Sequence, residues 1–425
     1  MTEALNPAYV HGMEWTVKEF FTYPNEFIYW SIQIVLYPYM TGLVAGAFVL
    51  SSLYHVFGQK DLKELARFSL VFSLALLPVA TMPLLMHLQH PLRAMEPLFT
   101  PHFTSAISAF GIVFLTYGLI VLSEIWFVYR EYFVQQAAAL RGQKGVGNIV
   151  KRILYNIFTL GAYDIGEVAL AKDKKAVKVL AACGIPVACF LHGYAGFIFG
   201  SVKANALWMS PLMPVIFIMS AIVSGIALCM VTYIAIMEWK VFQSILARGR
   251  GDSSVQLIKG AQIDVIHKAS KYLIGFMIAA ISLELLDLIF RGYTAMKSWD
   301  ILRSVMYGKD FFDIFILQYC IGNLLPFIML IWPGLTLRRT TIASLLVLFG
   351  VFMMRWNVVI GGQAFSFTFA GYMHYHMPMW PHNWETFKEG LFGALTVGVT
   401  PFVIFWLISK VVPSISYEKV PQQSN

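Results

Sequence analysis

Two histidines and an arginine lie at the end of the second long apolar segment, in the run Met86-His87-Leu88-Gln89-His90-Pro91-Leu92-Arg93. Polar side chains at a lipid boundary are costly to place, so a cluster of this kind usually binds a ligand. Arg93 follows Pro91, where its guanidinium can meet a head group or a carboxylate. His87, a turn deeper, can hydrogen-bond a carbonyl group and supply a proton. The alternative is that His87, His90 and Arg93 only reach into the outer interface.

Further polar residues accompany this cluster on the same side of the membrane. His192 lies in Leu191-His192-Gly193-Tyr194-Ala195-Gly196-Phe197, where glycines leave room for a flat ring or for close helix packing. Tyr29 and Gln33 lie at the start of the first apolar segment. We therefore predict a ligand head group near six residues: Tyr29, Gln33, His87, His90, Arg93 and His192. The alternatives for His192 are a bond to a neighbouring helix, or a b-type haem ligated together with His87.

Acidic side chains inside apolar segments form the third candidate group. Glu124 lies toward the inner end of the third segment, and Glu284 and Asp287 share one face of the sixth. Intramembrane carboxylates are rare and usually mark a proton or ion path. We predict a proton path from the inner face through Glu124, with a second path or an ion pair of Asp287 with Arg291 in the sixth segment. Arg355 is predicted to pair with Glu284 or Asp287.

The elements that must position these residues are membrane-spanning helices. Of the 425 residues, 58% are hydrophobic and 13% are charged, and the mean hydropathy is +0.67. This composition indicates an all-α polytopic membrane protein. Nine segments are long and apolar enough to span a bilayer. They are Phe27–Phe57, Phe68–Gln89, Phe103–Tyr129, Val179–Phe199, Leu212–Met237, Tyr272–Phe290, Ile314–Trp332, Thr340–Ile360 and Leu391–Ile408.

Most of the 31 lysines and arginines lie in alternate loops, as the positive-inside rule requires. We therefore predict an outer N-terminus and a cytoplasmic C-terminus, and we do not attribute the net charge of +8 to nucleic-acid binding. The longest inner loop, residues 130–178, contains a basic amphipathic helix. This helix is expected to lie on the membrane surface or to pack against the ends of the spans.

The spans and loops divide the chain into consecutive regions. They are an outer segment 1–26, spans one to four in 27–200, spans five to eight in 201–360, an aromatic outer loop 361–390, and the last span with its tail in 391–425. The aromatic loop is expected to be an interfacial belt or a docking surface for a peripheral subunit. Four cysteines lie in apolar segments without metal-ligand spacing, so we predict no metal site, iron–sulfur cluster or disulfide. They are Cys183, Cys189, Cys229 and Cys320.

Several stretches resemble the membrane subunits of the polysulfide reductase type, the NrfD/PsrC family. They are Tyr39-Met40-Thr41-Gly42-Leu43-Val44-Ala45-Gly46, the run His87 to Arg93 followed by Thr104-Ser105-Ala106-Ile107-Ser108, Glu124, Ala206-Leu207-Trp208, Glu284 to Arg291, and Arg355-Trp356-Asn357-Val358-Val359-Ile360. Many relatives have Asp-Leu-Gly-Arg-Pro after the second span. This chain has His87-Leu88-Gln89-His90-Pro91 there, so we expect His87 to take the role of the aspartate. The long-form members look most similar, above all those of the quinone reductase complex of sulfate reducers.

The resemblance implies two four-helix bundles side by side, formed by spans one to four and five to eight. It implies that menaquinone or another quinone binds at the outer end of the first bundle, and that the chain holds no haem or iron–sulfur cluster. The expected partners are a periplasmic ferredoxin-like iron–sulfur subunit, a molybdopterin-oxidoreductase-like subunit and a multihaem cytochrome c. The chain would pass electrons between these partners and the quinone pool in a bacterial inner membrane, and would not be an enzyme alone.

A secondary transporter or ion channel is the competing function. Discontinuous helices and inverted repeats would favour it. Prolines occur within spans, at Pro38, Pro78 and Pro186, but the sequence shows no matched pair of short broken segments.

Overall fold

The computed structural model describes residues 28, 30–102, 104–105, 107–203, 205, 207–249, 258–293, 299–364 and 372–415. In this part of the chain the regular structure is helical, and nine helices are long and apolar enough to cross a membrane. Spans one to nine are Ile32–His55, Lys60–His87, Phe110–Ala139, Glu167–Gly200, Met213–Gly249, Ile263–Tyr293, Phe312–Ile331, Leu337–Gln363 and Leu391–Ser409. The all-α class and the nine predicted spans are confirmed.

Two of the spans are irregular. Span two consists of a single turn at Lys60–Leu62 and the α-helices Lys63–Ala80 and Met82–His87. Span seven begins with the wider π-helical turns Phe312–Leu324 and continues as the α-helix Leu325–Ile331. Shorter helices lie between the spans, at Pro91–Met95, Glu96–Phe99, Val146–Phe158, Trp299–Ser304, Val305–Lys309 and Trp384–Glu389.

Span one lies at the centre of the protein. It packs against spans two, four, five and eight, so its apolar side chains are buried on every face. Two glycines bring spans one and five into backbone contact: a Cβ atom on Gly46 would lie 2.8 Å from the Cα of Gly225. Small residues permit this approach where lipid gives no hydrophobic drive for helices to associate.

Spans four and five pack against each other, and the remaining contacts join both consecutive and distant spans. Span three packs against spans two and four, while span five packs against six and eight, and span seven against eight. Span nine lies against span two. These are contacts that two adjacent four-helix units would make, and the division into two bundles stays a prediction.

The amphipathic helix Val146–Phe158 packs against the spans by one edge. Tyr155 is buried, and its hydroxyl donates to the Val411 carbonyl oxygen at 3.3 Å. Its apolar side chains are exposed, with Ile149 at 43% and Ile157 at 58%. One edge of the helix thus packs against the spans, and its position on the membrane surface stays a prediction.

Candidate functional site

Three helix ends meet at one end of the protein, which we call the His87 end. Ser31 caps the start of span one, His87 is the last residue of span two, and Glu389 ends the short helix Trp384–Glu389. The Nδ1 atom of His87 lies 2.9 Å from Oε2 of Glu389. The Ser31 hydroxyl donates to the same carboxylate oxygen. We call this group the His87 cluster. Its members are Ser31, Gln33, His87, Lys388 and Glu389.

Gln33 completes this cluster from inside the protein. Its side chain is fully buried, and Nε2 donates to the Lys388 carbonyl oxygen at 2.5 Å. A Cβ atom on Gly393 would lie 2.7 Å from that nitrogen, so glycine at this position makes room for the amide. The other amide atom, Oε1, is buried without a hydrogen-bond partner. A buried unpaired oxygen is costly in a folded protein, so a donor from a ligand or a water molecule would offset that cost.

The cluster holds Glu389 as an ionised carboxylate. Burial raises the pKa of Glu389, but hydrogen bonds from His87 and Ser31 and the charges of His87 and Lys388 together bring it below its usual range. The carboxylate therefore accepts from Nδ1–H of His87 and fixes the ring orientation. Both side chains keep about one fifth of their surface exposed, 21% for His87 and 22% for Glu389. The ring nitrogen Nε2 is then the atom that can exchange a proton with a ligand.

Several predicted residues lie elsewhere. The Arg93 side chain is 71% exposed, and its Nε atom lies 3.9 Å from Oε1 of Glu96. His90 is exposed as well. Neither residue therefore belongs to the His87 cluster. Span two ends at His87, and the chain continues through His90 into the short helix Pro91–Met95. The side chains of His90 and Arg93 therefore lie away from the cluster. Tyr29 lies outside the described residues.

His192 belongs to a separate polar group deep in the protein. Nη2 of Arg355 lies 2.9 Å from Nε2 of His192 and donates to Ser220 Oγ at 2.7 Å. Nδ1 of His192 lies 3.4 Å from the hydroxyl of Thr41. Thr41 is ten residues beyond Ser31 in span one, which is a separation of about 15 Å along the helix. The structure thus does not bring His87 and His192 together, and the engaged nitrogens of His192 argue against a shared haem.

The structure also corrects the predicted pairing of Arg355. This side chain is fully buried and bonds His192, Ser220 and the Met354 sulfur, rather than Glu284 or Asp287. Its guanidinium carbon lies 3.7 Å from the centre of the Phe217 ring. A cation–π contact and neutral hydrogen-bond acceptors stabilise the charge, and the Glu284 carboxyl adds an electrostatic interaction without a hydrogen bond.

Glu124 pairs with a residue that the sequence reasoning missed. Its Oε1 lies 2.9 Å from Nδ1 of His55, the last helical residue of span one, and both side chains are buried. Oε2 of Glu124 is buried without a partner. The sequence does contain a signal for this pair. His55 lies at the end of a span, and the Glu124 carboxyl needs a partner in lipid. We call this side of the protein the His55 end.

Glu284 and Asp287 face a cavity of about 130 Å³ near the His87 end. Asp287 pairs with Arg291 at 3.0 Å and accepts from Ser210. Glu284 accepts from Gln318 at 3.0 Å, and Gln318 in turn accepts from Asn357 at 2.7 Å. Asp287 thus forms the ion pair that was one of its predicted alternatives. Within the described residues, no group of three His, Cys, Asp or Glu side chains is placed to hold a metal.

The nine apolar helices found among the described residues, with their buried polar clusters, define a multi-pass membrane protein. Residues 22–367 match the family described as "Polysulphide reductase, NrfD", and the chain belongs to this family. It is 29% identical over 336 residues to a selenate reductase subunit of Mesobacillus selenatarsenatis, covering 78% of this chain and 73% of that protein. It is 24% identical over 339 residues to the Hdr-like menaquinol oxidoreductase integral membrane subunit of Archaeoglobus fulgidus, covering 79% and 71%. The likeness to the quinone reductase complex of sulfate reducers stays a prediction.

Proposed function

We propose that this chain is the quinone-binding membrane subunit of a respiratory oxidoreductase complex. It passes electrons between a peripheral iron–sulfur subunit and the quinone pool. Family membership supports the role of a membrane subunit, since the relatives are named as subunits of reductases and of a menaquinol oxidoreductase. The name of the Archaeoglobus relative favours menaquinone. The complex is expected to include a molybdopterin-type catalytic subunit and a cytochrome c.

The His87–Glu389 pair is the observation that carries this proposal. Glu389 accepts from Nδ1–H of His87, so neutral His87 offers Nε2 as a base and charged His87 offers Nε2–H as a donor. A bound quinone supplies two-electron chemistry that takes up or releases protons at its oxygens. His87 can donate to a quinone carbonyl or accept from a quinol hydroxyl. The unpaired Oε1 of Gln33 is a further hydrogen-bond acceptor in the same cluster.

The His87 end also suits a peripheral electron-transfer partner. Apolar side chains are exposed there in the segment after span two, with Leu92 at 92%, Phe99 at 81% and Ile107 at 61%. Scattered exposed apolar residues are common, but three in one short loop segment favour a protein contact. The orientation expected from Lys and Arg would place this contact in the periplasm.

The test is quinone turnover by the assembled complex. His87→Ala and Glu389→Gln should each lower turnover at least several-fold, because a lost hydrogen bond to a charged group costs about 1.5–3 kcal/mol. His90→Ala is the matched control, since His90 is a histidine three residues away and exposed. It should leave turnover unchanged. Normal turnover in both cluster variants, with the complex intact, would exclude this site.

A further inference from the structure

The cavity that Glu284 faces, among spans five to eight, has a mostly apolar wall. Apolar side chains from all four spans line it, among them Ile216, Leu288, Ile314 and Met354. Together with its open mouth, the cavity contains about 790 Å³ of space between the side chains. Sites for small organic ligands usually have about 300–1,000 Å³ and a mostly apolar lining. The cavity therefore suits an organic molecule, because water alone would leave its apolar wall hydrated, which is unfavourable.

The mouth of this cavity lies between spans six and seven. Span six packs against the α-helical part Leu325–Ile331 of span seven, whereas the π-helical part Phe312–Leu324 packs against span eight. Leu288 and Ile314 line the cavity from spans six and seven, and both are only half-buried. Ile289, next to Leu288, is 64% exposed, as expected of an apolar side chain that faces lipid. The mouth thus opens beside a lipid-facing surface.

Apolar residues of the loop between spans six and seven cover the cavity at the His87 end. The loop contains the short helices Trp299–Ser304 and Val305–Lys309. Leu302, Val305 and Met306 of these helices line the cavity, and the last two are buried. A ligand that enters between the two spans therefore comes from lipid rather than from water.

The charged groups at this cavity already have partners. Arg291 pairs with Asp287 at 3.0 Å, and the Lys309 ammonium donates to the Met373 carbonyl oxygen at 2.8 Å. Glu284 lies seven residues before Arg291, which is about 10 Å deeper along the helix. The charged head group of a phospholipid is costly to bury at this depth unless a cation balances it. The cavity therefore suits an apolar molecule with a neutral polar head.

The hydrogen bonds of the wall favour a head group that donates. Asn357 Nδ2 donates to Gln318 Oε1 at 2.7 Å, and Gln318 Nε2 donates to Glu284 at 3.0 Å. The indole nitrogen of Trp208 donates to the Val358 carbonyl oxygen at 2.6 Å. Oδ1 of Asn357, by contrast, is buried without a hydrogen-bond partner. A quinol, whose hydroxyl groups donate, thus fits this wall better than a quinone, whose oxygens only accept.

We propose that this cavity binds the ring of a second molecule from the quinone pool, in its reduced form, with the isoprenoid tail between spans six and seven. A quinol combines a neutral polar ring with an apolar tail and reaches the cavity through lipid. The class of ligand rests on the proposed function. The site itself is separate from the His87 cluster, because it uses other spans and other residues.

Binding stoichiometry tests the proposal. The probe is a radiolabelled menaquinol with one isoprene unit, in anaerobic equilibrium dialysis against the purified full-length chain in detergent. The native chain should bind two molecules, and Leu288→Trp, which fills the cavity, should bind one. Ile289→Trp is the matched control, since it makes the same change at the next position, which is exposed and does not line the cavity. It should bind two.

A second variant guards against misfolding of Leu288→Trp. Leu302→Trp fills the same cavity from a loop helix and should also leave one bound molecule. Two bound molecules in folded Leu288→Trp and Leu302→Trp chains would overturn the proposal. Equal affinity of the cavity for the oxidised probe would overturn it as well, since the reduced form is expected to bind at least several-fold more tightly.

His87→Ala separates this inference from the proposed function. It should weaken binding at the His87 cluster and leave the molecule in the cavity bound. A native chain that binds one molecule, lost in His87→Ala, would overturn the inference and leave the proposed function standing. One bound molecule that is lost in Leu288→Trp but kept in His87→Ala would support the inference and count against the proposed site at His87.

Discussion

At the scale of single residues, Glu389 fixes the orientation of the His87 ring. The carboxylate lies outside the spans, in a short helix that Asn383 caps, yet it meets the end of span two. The imidazole of His87 would otherwise be free to rotate and to change tautomer. A carboxylate partner fixes both, as it does in metal sites and catalytic triads. The proton chemistry proposed for His87 therefore depends on Glu389.

The lowered pKa of Glu389 predicts a specific pH dependence of stability. In an unfolded chain a glutamate titrates near pH 4.3, whereas the folded protein holds Glu389 lower. Such a group stabilises the fold fully above the unfolded pKa, and the contribution is lost as pH falls through the folded pKa. The melting temperature of the native chain should exceed that of Glu389→Gln by a constant amount above about pH 5, and the difference should close below about pH 4.

Glu385→Gln is the control for this measurement. Glu385 lies on the same short helix and pairs with Lys388, but it is 68% exposed, so solvent screens the pair. Surface pairs contribute little to stability, so this variant should follow the native curve. A melting difference for Glu389→Gln that persists unchanged to pH 3 would contradict the assigned role of the carboxylate.

At the scale of elements, the spans were predictable because hydropathy is a local property. All nine predicted segments overlap the observed helices, and the errors lie at their ends. Span four, for example, begins at Glu167 rather than Val179, because its first three turns are polar and extend past the apolar stretch. The break in span two was not predicted. It follows Ala80, where Pro83 opens the next short helix and cannot donate a backbone hydrogen bond.

The contact between spans one and five gives a prediction at this scale. In Gly46→Ala the new methyl group would collide with the Ala221 carbonyl oxygen and the backbone of Gly225, so the helices must separate. We expect a loss of stability of at least about 1–3 kcal/mol, the usual cost of overpacking. Thermal unfolding of the purified chain measures this.

Two other glycines in spans serve as controls. No atom lies within 4 Å of a Cβ placed on Gly275 or on Gly398. Alanine has a higher helix propensity than glycine by about 1 kcal/mol, so these substitutions should be neutral or slightly stabilising. Equal effects of alanine at Gly46 and Gly398 would show that the close contact does not limit stability.

At the scale of the whole molecule, the polar pairs join residues far apart in the chain. His87 and Glu389 are 302 positions apart, Glu124 and His55 are 69, and Arg355 and His192 are 163. The sequence identified His87, Glu124, Arg355 and His192 because polar residues in apolar segments are conspicuous. It could not show which residue each of them contacts, since that depends on helix packing. For the same reason the sequence could not show that Arg93 lies outside the His87 cluster.

Proton supply to the quinone site is a property of the whole molecule. If protons come from the His55 end, Glu124 and His55 form the entrance, as we propose. Vesicles containing the native complex should then build a membrane potential when an external donor reduces quinone. Glu124→Gln should lose the potential and slow electron transfer, since a buried amide cannot relay a proton as a carboxyl does.

Glu131→Gln is the matched control for the vesicle experiment. Glu131 lies two turns further along span three and is exposed. It should retain both the potential and the rate. An unchanged potential and rate in Glu124→Gln would remove this residue from the proton path.

The position of Glu389 has a consequence for biosynthesis. Ser31 precedes the first span and Glu389 precedes the last, 358 positions later. A ribosome that adds about 5–20 residues per second needs about 15–60 s to synthesise the 302 positions from His87 to its carboxylate. During that time spans three to eight are synthesised, but His87 lacks its partner. If His87 acts as proposed, a nascent chain cannot exchange protons with quinone at His87 in this way until the segment that contains Glu389 is synthesised and packs against the end of span two.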